Sequence, residues 1–473
     1  MTKKTSLHLL FAPLVALGLL PASSTTVRAG DADDIRLLRD QIQALEEKLK
    51  VIERKQEIRD EAAATAAKST PKVTADEKGL NVSSADGSTA LHFGALVQFD
   101  SREFLGDGGG VLNNSFLLRR ARLISDGTIG KYTSFLFVPE FGNGSGGTAT
   151  AVAILDAAVT VAPTSAVQFK FGKFKSPLGL EELQGDPNTN FVERAFVSSL
   201  LPNRDVGAVV TGSLFGGALG YTAGLMNGIS DSTTASGNSD FDNDKDVDGR
   251  LWAQPFVADK DSPLWGVGFG VGASAGREKG TSAVTAGYKT DGQQTFFKYG
   301  ASVYADGEAW RVTPQASYYH GPFGALAEYV VSAVNVRPSA PTATTALPKT
   351  QLENKAWEIT GSYVLTGEDA SYSGVAPREP FNWANGTWGA WQVVGRLEDV
   401  RIDPKAFPTF AALATNANEA RAWGAGFNWY LSRAVRLSQD FLQTRFSTNG
   451  RVPTTQILLH DETALITRVQ LSF

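Results

Sequence analysis

A chain of 473 residues with 48 glycines and 10% aromatics is long enough for a large core or a wide barrel, and it contains no cysteine. That excludes disulfides, thiolate metal sites and a cysteine nucleophile, and a net charge of −5 gives no reason to expect nucleic-acid binding. The four histidines, His8, His92, His320 and His460, are dispersed and show neither His-x3-His nor His-Glu-x-x-His spacing, so no metal centre or cofactor is expected.

Residues 1–29 read as a secretory signal peptide. Lys3 and Lys4 form the charged start, Leu7 to Leu20 the apolar stretch, and Val27-Arg28-Ala29 the small-x-small cleavage site. The apolar run is too short for a membrane anchor and is interrupted by Pro13 and Pro21. Residues 30–60 follow as a heptad segment. Ile35, Leu38, Ile42, Leu45, Leu49 and Ile52 recur in steps of three and four, an a/d seam that fades at Gln56 and Arg59. The pattern predicts a short α-helical coiled coil, in preference to one amphipathic helix packed on its own chain. Residues 61–79, rich in alanine at their start, read as a linker.

From about Leu80 to Phe473 the helical period gives way to alternation. Segments of about ten residues alternate apolar and polar side chains, as barrel strands do when one face meets lipid and the other water. The last segment, TALITRVQLSF, is the clearest. Leu465, Thr467, Val469, Leu471 and Phe473 share one face, and Arg468, Gln470 and Ser472 the other. Sixteen strands are expected, near 91–102, 115–125, 132–141, 152–162, 166–173, 207–215, 218–227, 248–257, 265–277, 308–320, 323–335, 355–366, 389–402, 420–431, 435–447 and 463–473. Thr295–Tyr304 would make an odd number and is placed in an outer-loop hairpin, because antiparallel barrels of this kind use an even count. The stretch Glu368–Trp388 should be a short turn and is long. Neither a linker for two sandwich domains nor a propeller blade repeat divides the region. Aromatics at strand ends (Trp388, Trp391, Trp423, Trp429, Tyr430) suit interfacial girdles.

Between the fifth and sixth strands, Lys173–Gly207 is too long and too apolar for a disordered surface loop. Leu178, Leu180, Phe191, Phe196 and Leu200 need a surface to pack on. The inside of the barrel supplies one, which makes this the constriction loop. Its cations Lys173, Lys175, Arg194 and Arg204 are offset by Glu181, Glu182, Asp186, Glu193 and Asp205.

Four stretches carry a family resemblance: FLLRRARLISDGTIGKYTSFLFVPEFG; FKFGKFKSPLGLEEL with FVERAFVSSLLPNRDVGAVVTG; AWEITGSYVLTGEDASYSGVAPREPF with GAWQVVGRLEDV; and GFNWYLSRAVRLSQDF. In this order and spacing they resemble the phosphate-selective porin O and P family across nearly all of 80–473. The resemblance implies a 16-stranded, usually trimeric outer-membrane porin of a Gram-negative bacterium, passing small anionic solutes. Many members carry an N-terminal coiled coil. It implies contact with membrane lipid and lipopolysaccharide. The phosphate-specific members place lysines just after the PLGLEEL-like segment. Gln184–Asn188 has none here and carries Asp186, so a general or weakly anion-selective porin is expected at least as much as a phosphate-specific one.

Alternation assigns the pore wall. Gln98, Asp100 and Arg102 face inward opposite Phe93, Ala95, Val97 and Phe99. Arg120 and Arg122 face inward opposite Leu117, Ala121 and Leu123, which leaves Arg119 toward lipid at a rim. Lys170 faces inward between Phe169 and Phe171, and Arg396 and Arg468 are inward by the same parity. Arg102, Arg120, Arg122 and Lys170 form either an anion track, since guanidinium forks bind oxyanions bidentately, or a set of clamps paired with Asp100, Glu140, Asp156 or loop carboxylates. Asp244-x-Asp246-x-Asp248-Gly249 resembles the start of a calcium loop, but Pro255 occupies its closing position, so a solvated acidic outer loop is expected. An enzyme built on the barrel would need a histidine constellation that the dispersed histidines do not offer. The alternative to a channel is a structural barrel whose coiled coil tethers the envelope.

Overall fold

The computed structural model describes residues 31–106, 112–142, 152–234, 243–284, 287–339, 348–447 and 461–473. The expected signal peptide lies outside them. The chain forms two units, one through Ser69 and one from Thr70 to Phe473.

The first unit contains the helix α1, Asp31–Ser69. Ile35, Leu38, Ile42, Leu45, Leu49 and Ile52 are each more than half exposed along it. The helix runs on through the segment expected as a linker. EAAATAAKS is dominated by alanine, the strongest helix former, and Pro71 marks the stop. Among the described residues no helix is long and apolar enough to cross a membrane.

The second unit starts with a hairpin that the linker reading also missed, β1 (Lys72–Asp76) and β2 (Gly79–Ser83). Sixteen barrel strands follow, and each expected strand is present. They are β3 (Thr89–Phe104), β4 (Ser115–Ile129), β5 (Thr133–Glu140), β6 (Ala153–Val161), β7 (Gln168–Lys175), β8 (Arg204–Leu214), β9 (Leu219–Met226), β10 (Asp246–Ala253) and β11 (Val267–Ala283). A small hairpin, β12 (Gly287–Lys289) and β13 (Thr295–Lys298), stands outside the barrel sheet. It bears out the placing of Thr295 onward in an outer loop, although Tyr304 already belongs to the next strand. The barrel resumes with β14 (Tyr304–His320), β15 (Phe323–Arg337), β16 (Thr350–Val364), β17 (Ala390–Arg401), β18 (Glu419–Tyr430), β19 (Val435–Ser447) and β20 (Glu462–Ser472).

Every barrel neighbour is antiparallel, and β20 pairs back on β3 with Gln470 opposite Gln98. Closure removes the exposed edge that an open sheet would carry. It is extended by Phe473, whose N–H donates to the Ala95 carbonyl (3.1 Å) and whose carbonyl accepts from the Ala95 N–H (2.9 Å). The pleat separates the faces. On β20, Ala464, Ile466, Arg468 and Gln470 are buried inside while Val469 and Leu471 are exposed outside. On β17, Gln392, Arg396 and Glu398 are inside, and Val393 and Leu397 outside. Polar-in, apolar-out alternation is the reverse of a soluble barrel and fits a lipid-facing exterior.

The connections 130–132, 162–167, 215–218, 254–266, 321–322, 365–389 and 431–434 lie at one end, with both barrel termini. The remaining connections, most of them longer, lie at the other. The long-loop half of the lumen is filled by loop on loop. Leu178, Phe196, Val197 and Leu200 pack with Tyr288, Phe296 and Phe297 of the β12–β13 hairpin and with Phe410. The outer hairpin thus folds inward, a role that its sequence did not suggest.

Candidate functional site

The constriction segment leaves β7 at Lys175 and returns to the wall at Arg204. It contains one short α-helix, α2 (Leu180–Leu183), and two 3-10 turns, Asp186–Asn188 and Phe196–Leu200. At its entry, the Leu178 main chain lies against Gly272 of β11, where any Cβ would collide with it. Beyond that, the barrel wall satisfies the loop's backbone group by group, as buried amides and carbonyls require. Glu328 of β15 accepts from the N–H groups of Leu180 (2.9 Å) and Glu181 (3.1 Å). Asp440 of β19 accepts from the Val192 N–H (2.6 Å), and Glu398 of β17 from the Phe196 N–H (2.7 Å). In return, Arg396 donates to the Glu193 carbonyl (3.0 Å), Arg436 to that of Thr189 (2.9 Å), and Asn428 to that of Asn190 (2.9 Å).

Two loop carboxylates are the hubs of the charge network. Asp186 meets Arg122, Arg194 (2.6 Å), Arg120 (3.5 Å) and Arg204 (3.8 Å). Glu193 meets Arg102 (2.7 Å), Arg119 (2.7 Å) and Arg468 (3.2 Å). Burial pushes the Asp186 carboxyl up, but Arg194, Arg120, Arg122 and Lys175 together outweigh it and hold it well below the usual carboxylate range. At Glu193, too, burial is outweighed, by Arg119, Arg102 and Arg468. On the wall, Asp100 pairs with Arg102 (3.0 Å) and Arg468 (2.6 Å), Glu140 with Arg122 (2.6 Å), and Asp156 with Arg204 (3.2 Å).

The structure places Arg102, Arg120 and Arg122 inside the barrel, as alternation requires. Arg119 is a correction. A β-bulge sets Gln98 opposite Arg120 but Phe99 opposite Leu118, so Arg119 is the extra residue and turns inward. Beyond the bulge the faces exchange: Phe116 and Leu118 are exposed outward, and Leu117 stands across from the inward-facing Asp100. No arginine then has to face lipid here. With 16% of its side chain accessible, Arg119 is the most open guanidinium of the cluster, against 3% for Arg102 and 0% for Arg468. Three arginines within four positions, which strict alternation cannot place on one face, were the signal for the bulge.

The four lysine and arginine candidates of the loop divide. Arg194 and Arg204 join the cluster. Lys175 donates to the carbonyls of Glu182 and Gln184 (both 2.7 Å) and ties the end of β7 to α2. Lys173 pairs across from Ala157 on the outward parity of Phe169 and Phe171 and donates to the Ile154 carbonyl (2.7 Å), so it stands apart from the cluster. Lys170 lies over the Phe174 ring, 4.5 Å from its centroid. The aspartates considered for calcium do not converge. Asp246 and Asp248 are buried on β10 rather than in an outer loop, Asp244 pairs with Lys279 (3.0 Å), and Asp246 faces Arg311 (3.5 Å). Among the described residues no group of side chains is arranged to hold a metal.

The short helix α2 stands between two cavities. The outer one, about 520 Å³, is lined by Arg119, Arg120, Arg122, Arg194, Arg204 and Lys289 together with Glu140, Glu182, Asp186 and Glu193. The inner one, about 820 Å³, opens among the short connections and is lined by Leu180 and Leu183 from α2. The long connection 365–389 explains itself here. It is not a pair of missed strands. Its first part rises into the lumen, where the Tyr372 hydroxyl donates to the Leu180 carbonyl (2.5 Å) and Gln184 donates to the Tyr372 carbonyl (2.8 Å). The constriction is therefore built from two segments, one entering from each end.

The comparisons agree with this geometry. The sequence matches the family described as "Phosphate-selective porin O and P" over residues 91–473. It is similar to "Porin O" of Pseudomonas aeruginosa, 22% identical over 392 residues that cover 78% of this chain and 85% of that protein. Among solved structures, the outer membrane channel DcaP of Acinetobacter baumannii superposes with a TM-score of 0.51 at 11% identity, covering 82% of this chain and 98% of that one. Outer-membrane expressed OmpT of Vibrio cholerae gives 0.50 at 11% identity, with the same coverage of 82% and 98%. Those two likenesses concern the fold. The match across the whole barrel does more: this chain belongs to the phosphate-selective porin O and P family and is a diffusion channel of the Gram-negative outer membrane.

Proposed function

We propose that the channel is passive and anion-preferring, with the selective field set by the arginine cluster on the outer side of α2. The charge balance of that cluster carries the reading. Arg119, Arg120, Arg122, Arg194, Arg204 and Lys289 line the outer cavity, against the four carboxylates Glu140, Glu182, Asp186 and Glu193. The clamp and the track are thus one device. The carboxylates hold the loop, and the cationic surplus faces the outer cavity, where a low-dielectric wall strengthens its field. Asp186, whose presence in the loop weighs against phosphate specificity, is surrounded by more positive charge than it carries.

Assembly as a homotrimer is part of the same proposal. It rests on family membership and on the apolar seam of α1, whose residues are each more than half exposed and which a coiled coil would bury. The test is the reversal potential across a planar bilayer under a potassium chloride gradient. The wild-type channel should favour chloride, and Arg119→Gln with Arg122→Gln should lower the chloride-to-potassium permeability ratio several-fold. Cation preference in the wild type, or an unchanged ratio in the double variant, overturns the proposal.

A further inference from the structure

The inner cavity differs in kind from the outer one. Its wall strand β10 sends Arg250 and Trp252 inward, and β14 sends Tyr319. Trp252 lies over Gly268 of β11, where a side chain would strike its ring, so the indole is held against the sheet. The Arg250 guanidinium sits 4.8 Å from the centroid of that indole. Its Nε donates to Gln315 Oε1 (3.0 Å), and among the described residues its two terminal amino groups have no protein partner. Glu328, which bears electrostatically on Arg250, already uses its oxygens on the Leu180 and Glu181 amides and the Thr313 hydroxyl. Of the other charged groups lining the cavity, Lys260 and Asp369 are both exposed and offset one another. The Tyr319 hydroxyl is buried and finds no partner among the described residues. Tyr372, held from below by the 365–389 connection, completes the lining.

A guanidinium with an open bidentate edge asks for a carboxylate or similar oxyanion. Aromatic faces beside it ask for a flat apolar body. A small inorganic anion would use the first and waste the second. We propose that this inner cavity is a solute subsite for organic anions with a flat apolar body, of the benzoate type. Arg250 takes the carboxylate, Trp252 and Tyr372 flank the ring, and the Tyr319 hydroxyl is available as a donor. The subsite rests on the channel reading above and adds a solute class to it.

The test is block of the chloride current of the full-length channel in bilayers by benzoate and by acetate. Benzoate should half-block at a concentration at least tenfold below acetate. Trp252→Ala should bring the two half-blocking concentrations within about twofold of each other, and Trp252→Phe should restore most of the gap. Arg250→Gln should weaken block by both anions together. Using the ratio within each variant separates ring recognition from any change in open-channel current. If chloride flows normally but benzoate blocks no better than acetate, or if Trp252→Ala leaves the ratio unchanged, the subsite is overturned and the channel reading stands. If the wild-type protein forms no ohmic pore, the channel reading falls and the subsite with it.

Discussion

The two halves of the lumen use arginine in opposite ways. On the long-loop side, Arg102, Arg120 and Arg122 are tied to Asp100, Glu140, Asp186 and Glu193, with Arg102–Glu193 at 2.7 Å and Arg122–Glu140 at 2.6 Å, and they are largely buried. On the short-turn side, Arg250 is held by an amide oxygen and an indole and keeps its fork open. The difference teaches that an inward arginine is not by itself a solute contact. Where a loop must be held in water, guanidinium groups are spent on its carboxylates, and only their surplus charge reaches the solute as a field. Where no carboxylate competes, the same side chain can touch the solute directly.

The sharpest way to break this contrast is at the Glu193 hub. Glu193→Gln leaves Arg102, Arg119 and Arg468 around a neutral amide. Loss of one partner from a buried ionic group costs about 3–5 kcal/mol. Single-channel conductance should rise as the loop loosens, and thermal unfolding in detergent should shift down. The matching change at Arg250, to Gln, should leave the melting temperature within a degree or two, since no ion pair is broken.

Acid should sharpen the contrast next. The native Asp186 and Glu193 carboxyls lie below their ordinary values of 3.8 and 4.5. A released loop would therefore bind more protons than the docked one. The stabilisation is complete above those ordinary values and is lost only as pH falls through the depressed native ones. The part of the conductance change that depends on Glu193, read as the difference between wild type and Glu193→Gln across the titration, should appear only below about pH 4.5. A Glu193-dependent step near pH 5 or 6 would count against the clamp. The smallest effect is expected at the contact between the two lumenal segments. Tyr372→Phe removes one hydrogen bond to the Leu180 carbonyl, worth about 1 kcal/mol. It should raise open-channel noise while changing mean conductance by less than about twofold.

The barrel was legible because alternation is enforced by two solvents at every strand, and a slip of one residue would expose the whole inner face to lipid. That is why sixteen strands and the inward parity of Arg396 and Arg468 could be read directly, and the even strand count then places Thr295 in an outer loop. Three features escaped for local reasons. The alanine run of 61–69 was read by its small side chains rather than its helix propensity, so α1 was cut short and the hairpin after it was absorbed into a linker. The bulge at Arg119 adds one residue to one strand, which no strict alternation can contain. The 365–389 connection goes inward because Tyr372 and Gln184 find each other, a pairing 188 residues apart in sequence. Which arginines would be neutralised was open for a related reason. Partners such as Glu193 for Arg102 are assigned by the path of the loop across the lumen, and residue order carries no trace of that path.

The position of the loop anchors has a kinetic meaning. Asp100 on the first barrel strand and Arg468 on the last are 368 residues apart in sequence, and both belong to the seam where β20 meets β3. Arg468 also donates to the Val192 carbonyl of the loop (2.5 Å). A chain whose seam is still open offers only part of the surface on which the loop docks. Contacts of such sequence separation are made late, because the entropy of closing the intervening chain comes first. Barrel closure and formation of the constriction are therefore coupled: the narrowed pore is completed only with the seam, and the docked loop in turn acts as its latch.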